Sequence, residues 1–214
     1  MGKIIVGVPT LNRYDLLANL VNSINDGTVV PNAIVVIDNG GQFKKWIQQT
    51  PSNLRLVNNG NLGVAGAWNK IINGITDEDC VVISNDDLEF EPDTLEKFYS
   101  ATEEFVSCTC VSALNKFSLF KITKACVDKA GKFDEEFFPA YFEDNSYQRS
   151  MILSDVIEGT ITSDVKHLGS QTIKSLNSIQ LREHHANFEK NKAMYKAMWG
   201  GLVGEETYLT KFNR

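Results

Sequence analysis

The sequence predicts an α/β fold with a mostly parallel central sheet and helices on both faces of that sheet. Over the first ninety residues, short apolar runs typical of fully buried strands alternate three times with segments of helical periodicity. Such alternation builds a parallel sheet, because each intervening helix crosses one face of the sheet and returns the chain to the same end. Four runs have this strand-like character: residues 3–8, 33–37, 54–57 and 80–84.

Helices are predicted between these strands from the spacing of apolar residues. The first helix has a single apolar face, and Asn12 or Asp15 can cap its first turn. A second helix is expected around residues 43–49, and a third over about residues 64–75. The apolar face of the first helix consists of Leu16, Leu17, Leu20, Val21 and Ile24.

The second half of the sequence has a different pattern, in which strands and helices no longer alternate regularly. Thr123 can cap a brief helix that ends at Ala130. From Asn177 onward, helical spacing predicts a C-terminal helix that packs back on the domain and ends at Gly200-Gly201. The other predicted elements are helices over 92–105 and 142–153 and strands over 107–112, 118–122 and 157–162.

Composition and charge disfavour several classes of function. The 214 residues carry a net charge of −6, from 21 basic and 27 acidic side chains, which argues against broad electrostatic binding to nucleic acid or anionic membranes. No stretch approaches the ~20 apolar residues of a membrane span, and the N-terminus lacks the layout of a signal peptide. The cysteines have no spacing typical of a disulfide framework, so we expect a reducing compartment, the cytoplasm. They are Cys80, Cys108, Cys110 and Cys126.

Three polar loops follow predicted parallel strands, at residues 9–13, 38–41 and 85–87. Because the carboxyl ends of such strands meet at one edge of an open sheet, we expect these loops to line a common ligand crevice. The adjacent carboxylates of Asp86 and Asp87 suit Mg²⁺ or Mn²⁺ beside substrate phosphates. They also fit a turn that caps the next helix, since Asn and Asp favour turns for local reasons. The sequence has neither GxGxxG after its first strand nor GxxxxGK before Ser or Thr, which disfavours a dinucleotide enzyme or a P-loop NTPase.

Six segments occur in the order, and at the distances, of the motifs of one enzyme family. They are VGVPTLNR, VVIDNGG, NNGNLGVAGAWNKII, SNDDLEF, GKFDEEFFPAYFEDNSYQR and VKHLGSQT. Together they resemble the family 2-type inverting glycosyltransferases, which have the GT-A fold. The resemblance implies a GT-A-like domain over residues 1–175, with a nucleotide-binding half at 1–100 and an acceptor half at 101–175. A C-terminal helical extension over residues 176–214 would pack on the same domain.

On the donor side, the resemblance implies that a nucleotide-sugar, UDP-linked in the first instance, binds at the ends of the first strands. Asp38 would contact the base, which is uracil if the donor is UDP-linked. Asp87 would ligate Mn²⁺ or Mg²⁺ directly, and Asp86 would flank the sugar diphosphate. His167 would be a further contact to the metal or the diphosphate. The other donor-site residues implied in this way are Pro9, Thr10, Asn12, Arg13, Asn69 and Asn85.

On the acceptor side, the resemblance implies that Asp144 is the catalytic base and that Glu143 is its neighbour. A carboxylate within hydrogen-bond reach of an acceptor hydroxyl can remove its proton, and direct in-line attack then inverts the anomeric carbon. The same two residues would also complement the dipole of the helix that begins there. Two positions depart from the family pattern: Asn85 replaces the usual first Asp, and Trp68 stands where many relatives have Arg.

Two other functions stay open at the level of the sequence. A nucleotidyltransferase, which makes a nucleotide-sugar, would share this kind of sheet, although PTLNR lacks the Gly-rich basic loop usual in such enzymes. A non-catalytic module that binds a nucleotide-sugar is the other. Asp144 distinguishes the enzyme from the module, since only activity should depend on it. The sequence does not indicate the sugar, the oligomeric state or the acceptor, which could be a glycan, a lipid-linked intermediate, a protein or a modified nucleobase.

Overall fold

Nine strands and six α-helices are formed by the part of the chain that this computed structural model describes, namely residues 2–43, 51–57, 60–109, 115–167 and 177–214. The strands are β1 (Ile4–Thr10), β2 (Ala33–Asp38), β3 (Leu54–Val57), β4 (Cys80–Ser84), β5 (Leu88–Glu89), β6 (Phe105–Thr109), β7 (Leu119–Ile122), β8 (Glu158–Thr162) and β9 (Lys166–His167). The helices are α1 (Tyr14–Asn25), α2 (Gly63–Ile72), α3 (Thr94–Ser100), α4 (Lys124–Ala130), α5 (Glu143–Leu153) and α6 (Ser178–Trp199).

Seven of the strands form one sheet in the order β3-β2-β1-β4-β7-β6-β8, and β5 pairs with β9 in a separate two-stranded sheet. The pairs β1–β2, β1–β4 and β2–β3 are parallel, as the alternation of elements predicts. The other half of the sheet is mixed, because β7 runs antiparallel to β4 and β6, whereas β6 and β8 are parallel. The carboxyl ends of β1, β2 and β4 therefore lie side by side, which brings the three polar loops to one edge.

Helices cover both faces of the sheet, and each face has its own apolar core. Val6 and Val82 lie in the core that includes α1 and α3, whereas Val81 and Ile83 lie in the core that includes α2 and α5. All four side chains are buried, which is why the central strands are continuous apolar runs in the sequence. The predicted α/β fold, with a mostly parallel sheet and helices on both faces, is confirmed.

The C-terminal helix α6 packs on the domain through its last turns. Tyr195, Met198 and Trp199 are buried in a small apolar cluster with Phe137. The helix begins after Asn177, whose side chain caps it by accepting hydrogen bonds from the N–H groups of Ile179 and Gln180. No helix within the described ranges is both long and apolar enough to cross a bilayer.

The predicted end of α6 at Gly200-Gly201 is confirmed, and both glycines have a physical reason. Gly200 has a φ of 75°, the left-handed conformation that ends many helices. A Cβ on Gly201 would lie only 1.9 Å from the carbonyl oxygen of Glu205. The chain therefore turns back tightly on the end of the helix, and a side chain at Gly201 would prevent this turn.

The prediction of a helix over residues 92–105 is wrong after Ser100. Helix α3 ends at Ser100, because Ala101 adopts an extended backbone. Phe105 instead opens β6 and is fully buried in the core. The strand predicted over 107–112 therefore begins two residues early, since burial of Phe105 outweighs the helical pattern of the segment.

The predicted cap of α1 is also wrong. Arg13 occupies the N-cap position, and no side chain caps the helix. Asn12 has a φ of 59° and Asp15 lies inside the first turn. Most of the helix predicted over 43–49 lies outside the described residues, as does Cys110.

Candidate active site

The last residue of β1 and the loop after β4 are joined by a hydrogen bond between two predicted donor-site residues. The hydroxyl of Thr10 donates to Oδ2 of Asp86 at 2.7 Å. Burial, and to a lesser degree the adjacent Asp87 carboxylate, raises the pKa of Asp86 to about 6, although the Thr10 hydrogen bond and the Arg13 charge oppose this shift. This edge of the sheet thus carries a local excess of negative charge, which a cation would offset.

Asp87 and His167, the two predicted metal-site residues, lie side by side although they are far apart in the sequence. His167 Nε2 is 3.2 Å from Asp87 Oδ2, and the side chains are only 20% and 12% exposed. Strands β5 and β9 create this contact, because their register sets His167 opposite Leu88. The described residues contain no cluster of three or more His, Cys, Asp or Glu side chains suited to a metal. Magnesium-type sites often use one or two carboxylates together with substrate phosphates and water, so this pair fits a metal that binds with the donor.

Asp38 is fully buried, and its carboxylate organises the loop after β2. Oδ1 accepts hydrogen bonds from the Tyr14 hydroxyl at 2.8 Å and from the N–H groups of Gly40 and Gly41 at 3.1 and 2.9 Å. Oδ2 accepts from the N–H of Phe43 at 3.0 Å. In this structure Asp38 therefore acts on the site through the backbone of the loop, and its direct contact with a base stays a prediction.

Asn69 is also buried, and it connects α2 to the acceptor half of the chain. Its Nδ2 donates to the carbonyl of Phe133 at 2.9 Å and to Oε1 of Glu135 at 2.8 Å, and its Oδ1 accepts from the N–H of Phe133 at 2.9 Å. The preceding Trp68 lies in the aromatic core, with its ring 4.9 Å from that of Phe133. Asn69 thus holds the segment after α4 against α2, and its predicted contact with the donor stays a prediction.

The sequence predicts Pro9 in the loop after the first strand, but it lies within β1, which continues to Thr10, whereas Asn12 lies in the loop that follows. Pro9 is opposite Ile37 of β2. Asn12 packs against the loop of Asp38 so closely that a Cβ on Gly40 would lie 2.2 Å from Asn12 Oδ1. The lack of a side chain at Gly40 therefore lets the β1 and β2 loops meet.

Arg13 is a basic residue that follows β1 at this edge of the sheet, at the start of α1. It forms a salt bridge with Asp15, with 3.2 Å between Nη2 and Oδ2. The hydrogen bond with Asp15 raises the pKa of Arg13, and the charges of Asp86 and Asp87 add to this effect. The guanidinium therefore lies within electrostatic reach of the carboxylate pair, where a diphosphate could also interact with it.

Glu143 and Asp144 both lie in the first turn of α5, but their surroundings differ. Glu143 is only 5% exposed, and its Oε2 has no hydrogen-bond partner among the described residues. Burial, reinforced by the charge of Asp144, raises the pKa of Glu143 to about 8, so Glu143 holds a proton at neutral pH. Asp144 is half-buried and accepts hydrogen bonds from the Asn115 side chain at 3.2 Å and from the N–H of Asn145 at 2.8 Å.

A short 3-10 turn over Lys116–Ser118 contacts both the donor side and the acceptor side. The carbonyl of Ser118 accepts a hydrogen bond from the N–H of Asn85 at 2.9 Å. Asn115, at the start of the same turn, donates to Asp144. One turn is therefore hydrogen bonded both to the loop of Asp86 and Asp87 and to the start of α5. The predicted donor-site residue Asn85 begins that loop and contacts the turn through its backbone N–H.

Sequence reasoning missed several residues that hold the site together. Glu135 lies inside the segment GKFDEEFF, so a polar motif was visible but its partner was not. Asn115 precedes a turn that it caps, which is a recognisable local signal. Tyr14 gave no signal, because it looks like an ordinary residue of an amphipathic helix.

The family model for Glycosyl transferase family 2 matches residues 5–142. The chain belongs to this family. The matched residues run from β1 to the position before Glu143, so they include the donor-side loops and end just before the acceptor-side carboxylates. Comparison with curated proteins finds no match.

Solved structures of other proteins share the fold. One is a mannosyltransferase, PcManGT from Pyrobaculum calidifontis in complex with GDP-Man and Mn2+, with a TM-score of 0.58 and 19% sequence identity. The matched region covers 76% of this chain and 55% of the mannosyltransferase chain. S. aureus TarS 1-349 in complex with UDP-GlcNAc has a TM-score of 0.58 and 16% identity, covering 82% of this chain and 61% of its own. Rv0371C from Mycobacterium tuberculosis H37Rv, in complex with manganese, has a TM-score of 0.52 and 10% identity, covering 75% of this chain and 88% of its own. The chain thus spans little more than half the length of the first two, and the predicted GT-A-like fold is confirmed.

Proposed function

We propose that this chain is a metal-dependent glycosyltransferase that moves a sugar from a nucleotide-sugar donor to an acceptor hydroxyl, with inversion of the anomeric carbon. Membership of glycosyl transferase family 2 supports the class of reaction. One structural observation carries the proposal furthest: a single short turn over residues 115–118 hydrogen bonds both to the loop of Asp87 and to Asp144. This supports a diphosphate site and a base within one cleft.

For the donor, we favour a UDP-linked sugar. The solved mannosyltransferase binds GDP-Man and the solved TarS fragment binds UDP-GlcNAc, which supports a nucleoside diphosphate sugar for this chain as well. The choice of uracil rests on the resemblance at Asp38, which orders the loop of Gly40 and Gly41. The acceptor and a cytoplasmic location stay predictions.

For the diphosphate, we assign Asp87 and His167 as the side chains that hold a divalent cation. Their contact at 3.2 Å and their low exposure support this assignment, since the pair is already assembled. When bound, Mn²⁺ or Mg²⁺ supplies Lewis-acid neutralisation of the leaving diphosphate. Thr10 holds Asp86 beside this pair through its hydrogen bond, and Arg13 adds positive charge on the same side.

For the base, the different surroundings of the two acceptor-side carboxylates favour Asp144. A group that keeps its proton at neutral pH, as Glu143 does, cannot accept another. Asp144 would take the proton of the acceptor hydroxyl. The acceptor oxygen would then form a bond to the anomeric carbon while the bond from that carbon to the diphosphate oxygen breaks on the opposite face. The configuration is inverted, and the electron pair leaves with the nucleoside diphosphate.

The donor site is tested by calorimetric titration of UDP, GDP, dTDP and their common sugars, with and without Mn²⁺. We expect metal-dependent binding of one nucleotide class by the wild type and loss of that binding in Asp87→Ala. Asp77→Ala makes the same change at an exposed position and should bind like the wild type. If no nucleotide binds in any of these conditions, the proposed function is wrong.

The base is tested by the kinetics of Asp144→Asn. Because a positioned base contributes about 10²–10⁴-fold, we expect the release of nucleoside diphosphate from the donor to slow by a factor in that range. Donor affinity should stay the same, since Asp144 contacts the acceptor. A full rate in Asp144→Asn would contradict the assignment of the base, and metal-dependent donor binding without any turnover in the wild type would indicate a binding module.

A further inference from the structure

Asn191 lies in the middle of α6, yet its side chain is fully buried and contacts the segment that leads into α5. Its Nδ2 donates to the carbonyl of Ala140 at 2.8 Å. The carbonyls of Tyr141 and Phe138 lie at 3.4 and 3.5 Å from the same nitrogen. The single side-chain amide thus faces three backbone carbonyls of one turn. These three residues lie outside the helices and strands of the described chain.

This turn has a conformation that needs support from outside. Tyr141 and Phe142 have φ values of 81° and 72°, which are uncommon for residues with bulky side chains. Such strained backbone persists only where the surroundings determine it, and it often lies at functional sites. On its other side the turn is held by α2, because the N–H of Val64 donates to the carbonyl of Pro139 at 2.8 Å.

Other side chains of α6 contact the same turn. The Tyr141 hydroxyl is hydrogen bonded to Nε2 of His184. The ring of Phe142 lies 5.3 Å from that of Phe188 and 5.6 Å from that of Tyr195. Asn191 therefore stands within a continuous contact between α6 and residues 138–142.

The turn matters because the two acceptor-side carboxylates follow it directly. Helix α5 begins at Glu143, so any shift of Phe142 moves Glu143 and Asp144 with it. Small displacements of a catalytic group reduce rates strongly, since proton transfer depends on distance and direction. Helix α6 lies beyond residues 5–142, which are those that the family model matches, so this support comes from a part of the chain that the family match does not include.

We propose that Asn191 is a positioning residue, which holds the backbone of residues 138–142 so that Glu143 and Asp144 stand in the geometry needed for the acceptor. The proposal rests on the proposed function for the role of these two carboxylates. The mechanical part, that Asn191 determines the conformation of the turn, rests on the contacts alone.

Two variants of Asn191 test the proposal, with a third as control. Asn191→Leu keeps the size of the side chain and removes the donor. Asn191→Asp keeps the shape and places an oxygen where the donating nitrogen faces the carbonyls. Asn187→Leu makes the same chemical change one turn earlier on α6, where the side chain is only half-buried. Thermal unfolding of all three variants shows which of them fold. If Asn191→Asp does not fold, the test depends on Asn191→Leu.

The first readout is the release of nucleoside diphosphate from UDP-glucose, UDP-GlcNAc and GDP-mannose with Mn²⁺ and water as acceptor, beside the dissociation constant of the donor. We expect kcat to fall about 10- to 100-fold in Asn191→Leu while donor affinity changes by less than about twofold. Asn187→Leu should change both by less than about twofold. A folded Asn191→Leu with kcat within about twofold of the wild type would overturn the positioning role.

The second readout does not need turnover. The carboxyl carbon of Glu143 is followed by ¹³C NMR as a function of pH, with Glu143→Gln to assign the signal. In the wild type the carboxyl should titrate well above the ordinary range of a glutamate, and in Asn191→Leu its midpoint should move towards that range, because a loosened turn admits water. An unchanged midpoint would overturn the mechanical part. If the wild type shows no turnover, the proposed function fails, while this titration still decides whether Asn191 holds the turn.

Discussion

Replacing Glu143 by Gln should stabilise the protein, and the gain should grow with pH. Glu143 is buried, and burial together with the charge of Asp144 raises its pKa from 4.5 to about 8. Between these two values, the native state holds a proton on Glu143 that the unfolded chain has released. The stability linked to that proton is fully present below pH 4.5 and is lost as the pH rises through about 8.

The size of this effect follows from the shift in pKa. The rise of the Glu143 pKa from 4.5 to about 8 corresponds to at most about 5 kcal/mol, since a tenfold change in a protonation equilibrium is about 1.4 kcal/mol. Relaxation and water entry around a buried charge reduce such penalties, so we expect Glu143→Gln to be more stable than the wild type by about 2–4 kcal/mol near pH 8. Near pH 4.5 the native side chain is neutral in both proteins, and the difference in unfolding free energy should be close to zero.

The assay is urea unfolding, followed by tryptophan fluorescence, at several pH values between about 5 and 8. Trp68 and Trp199 are buried and lie in separate apolar clusters, so they report on both sides of the structure. Glu136→Gln makes the same change at an exposed neighbouring position and serves as the control. If the difference in unfolding free energy between Glu143→Gln and the wild type is instead the same at every pH, the Glu143 carboxylate is compensated by its surroundings. In that case its pKa is not raised by burial, and the reasoning is refuted.

Two further predictions concern the contacts that hold the site. Asn69→Leu should lower the free energy of unfolding by about 1–3 kcal/mol, because it leaves the buried carbonyl and N–H of Phe133 without their partner. Urea unfolding measures this change, and an unchanged stability would mean that the Asn69 contacts contribute little. Gly201→Ala should lower the melting temperature, since the new Cβ would lie 1.9 Å from the carbonyl oxygen of Glu205; a calorimetric scan with no shift would show that the chain after α6 can move aside.

The parallel half of the fold was predictable because its strands are buried on both faces. Their residues are therefore continuously apolar, and the polar loops that follow them are easy to locate. The prediction failed where a local pattern competes with burial, as at Phe105, which continues a helical pattern in the sequence but belongs to the core of β6. The cap of α1 failed for a similar reason, since Asn12 packs against Gly40 instead of capping the helix.

The sequence indicated which residues would lie near this edge of the sheet, but it did not indicate which contacts their side chains make. The contact of Asp87 with His167 agrees with the roles that the resemblance implies, although the roles themselves stay predictions. Asp38 and Asn69, in contrast, have the expected residue types, but their polar atoms bond to the protein interior. A polar residue after a strand looks the same in the sequence whether it faces a ligand or another loop.

The sequence by itself determined the alternation of buried strands and helices, the parallel half of the sheet and the edge at which polar loops meet, because these depend on patterns within a few consecutive residues. Only the tertiary structure decided which carboxylate of the pair at the start of α5 is buried and which is half-exposed, and which amides hold the surrounding turns. The physical reason is that these properties arise from contacts between distant elements, such as the hydrogen bond from Asn191 to Ala140, whose two residues approach each other only when α6 packs on the domain.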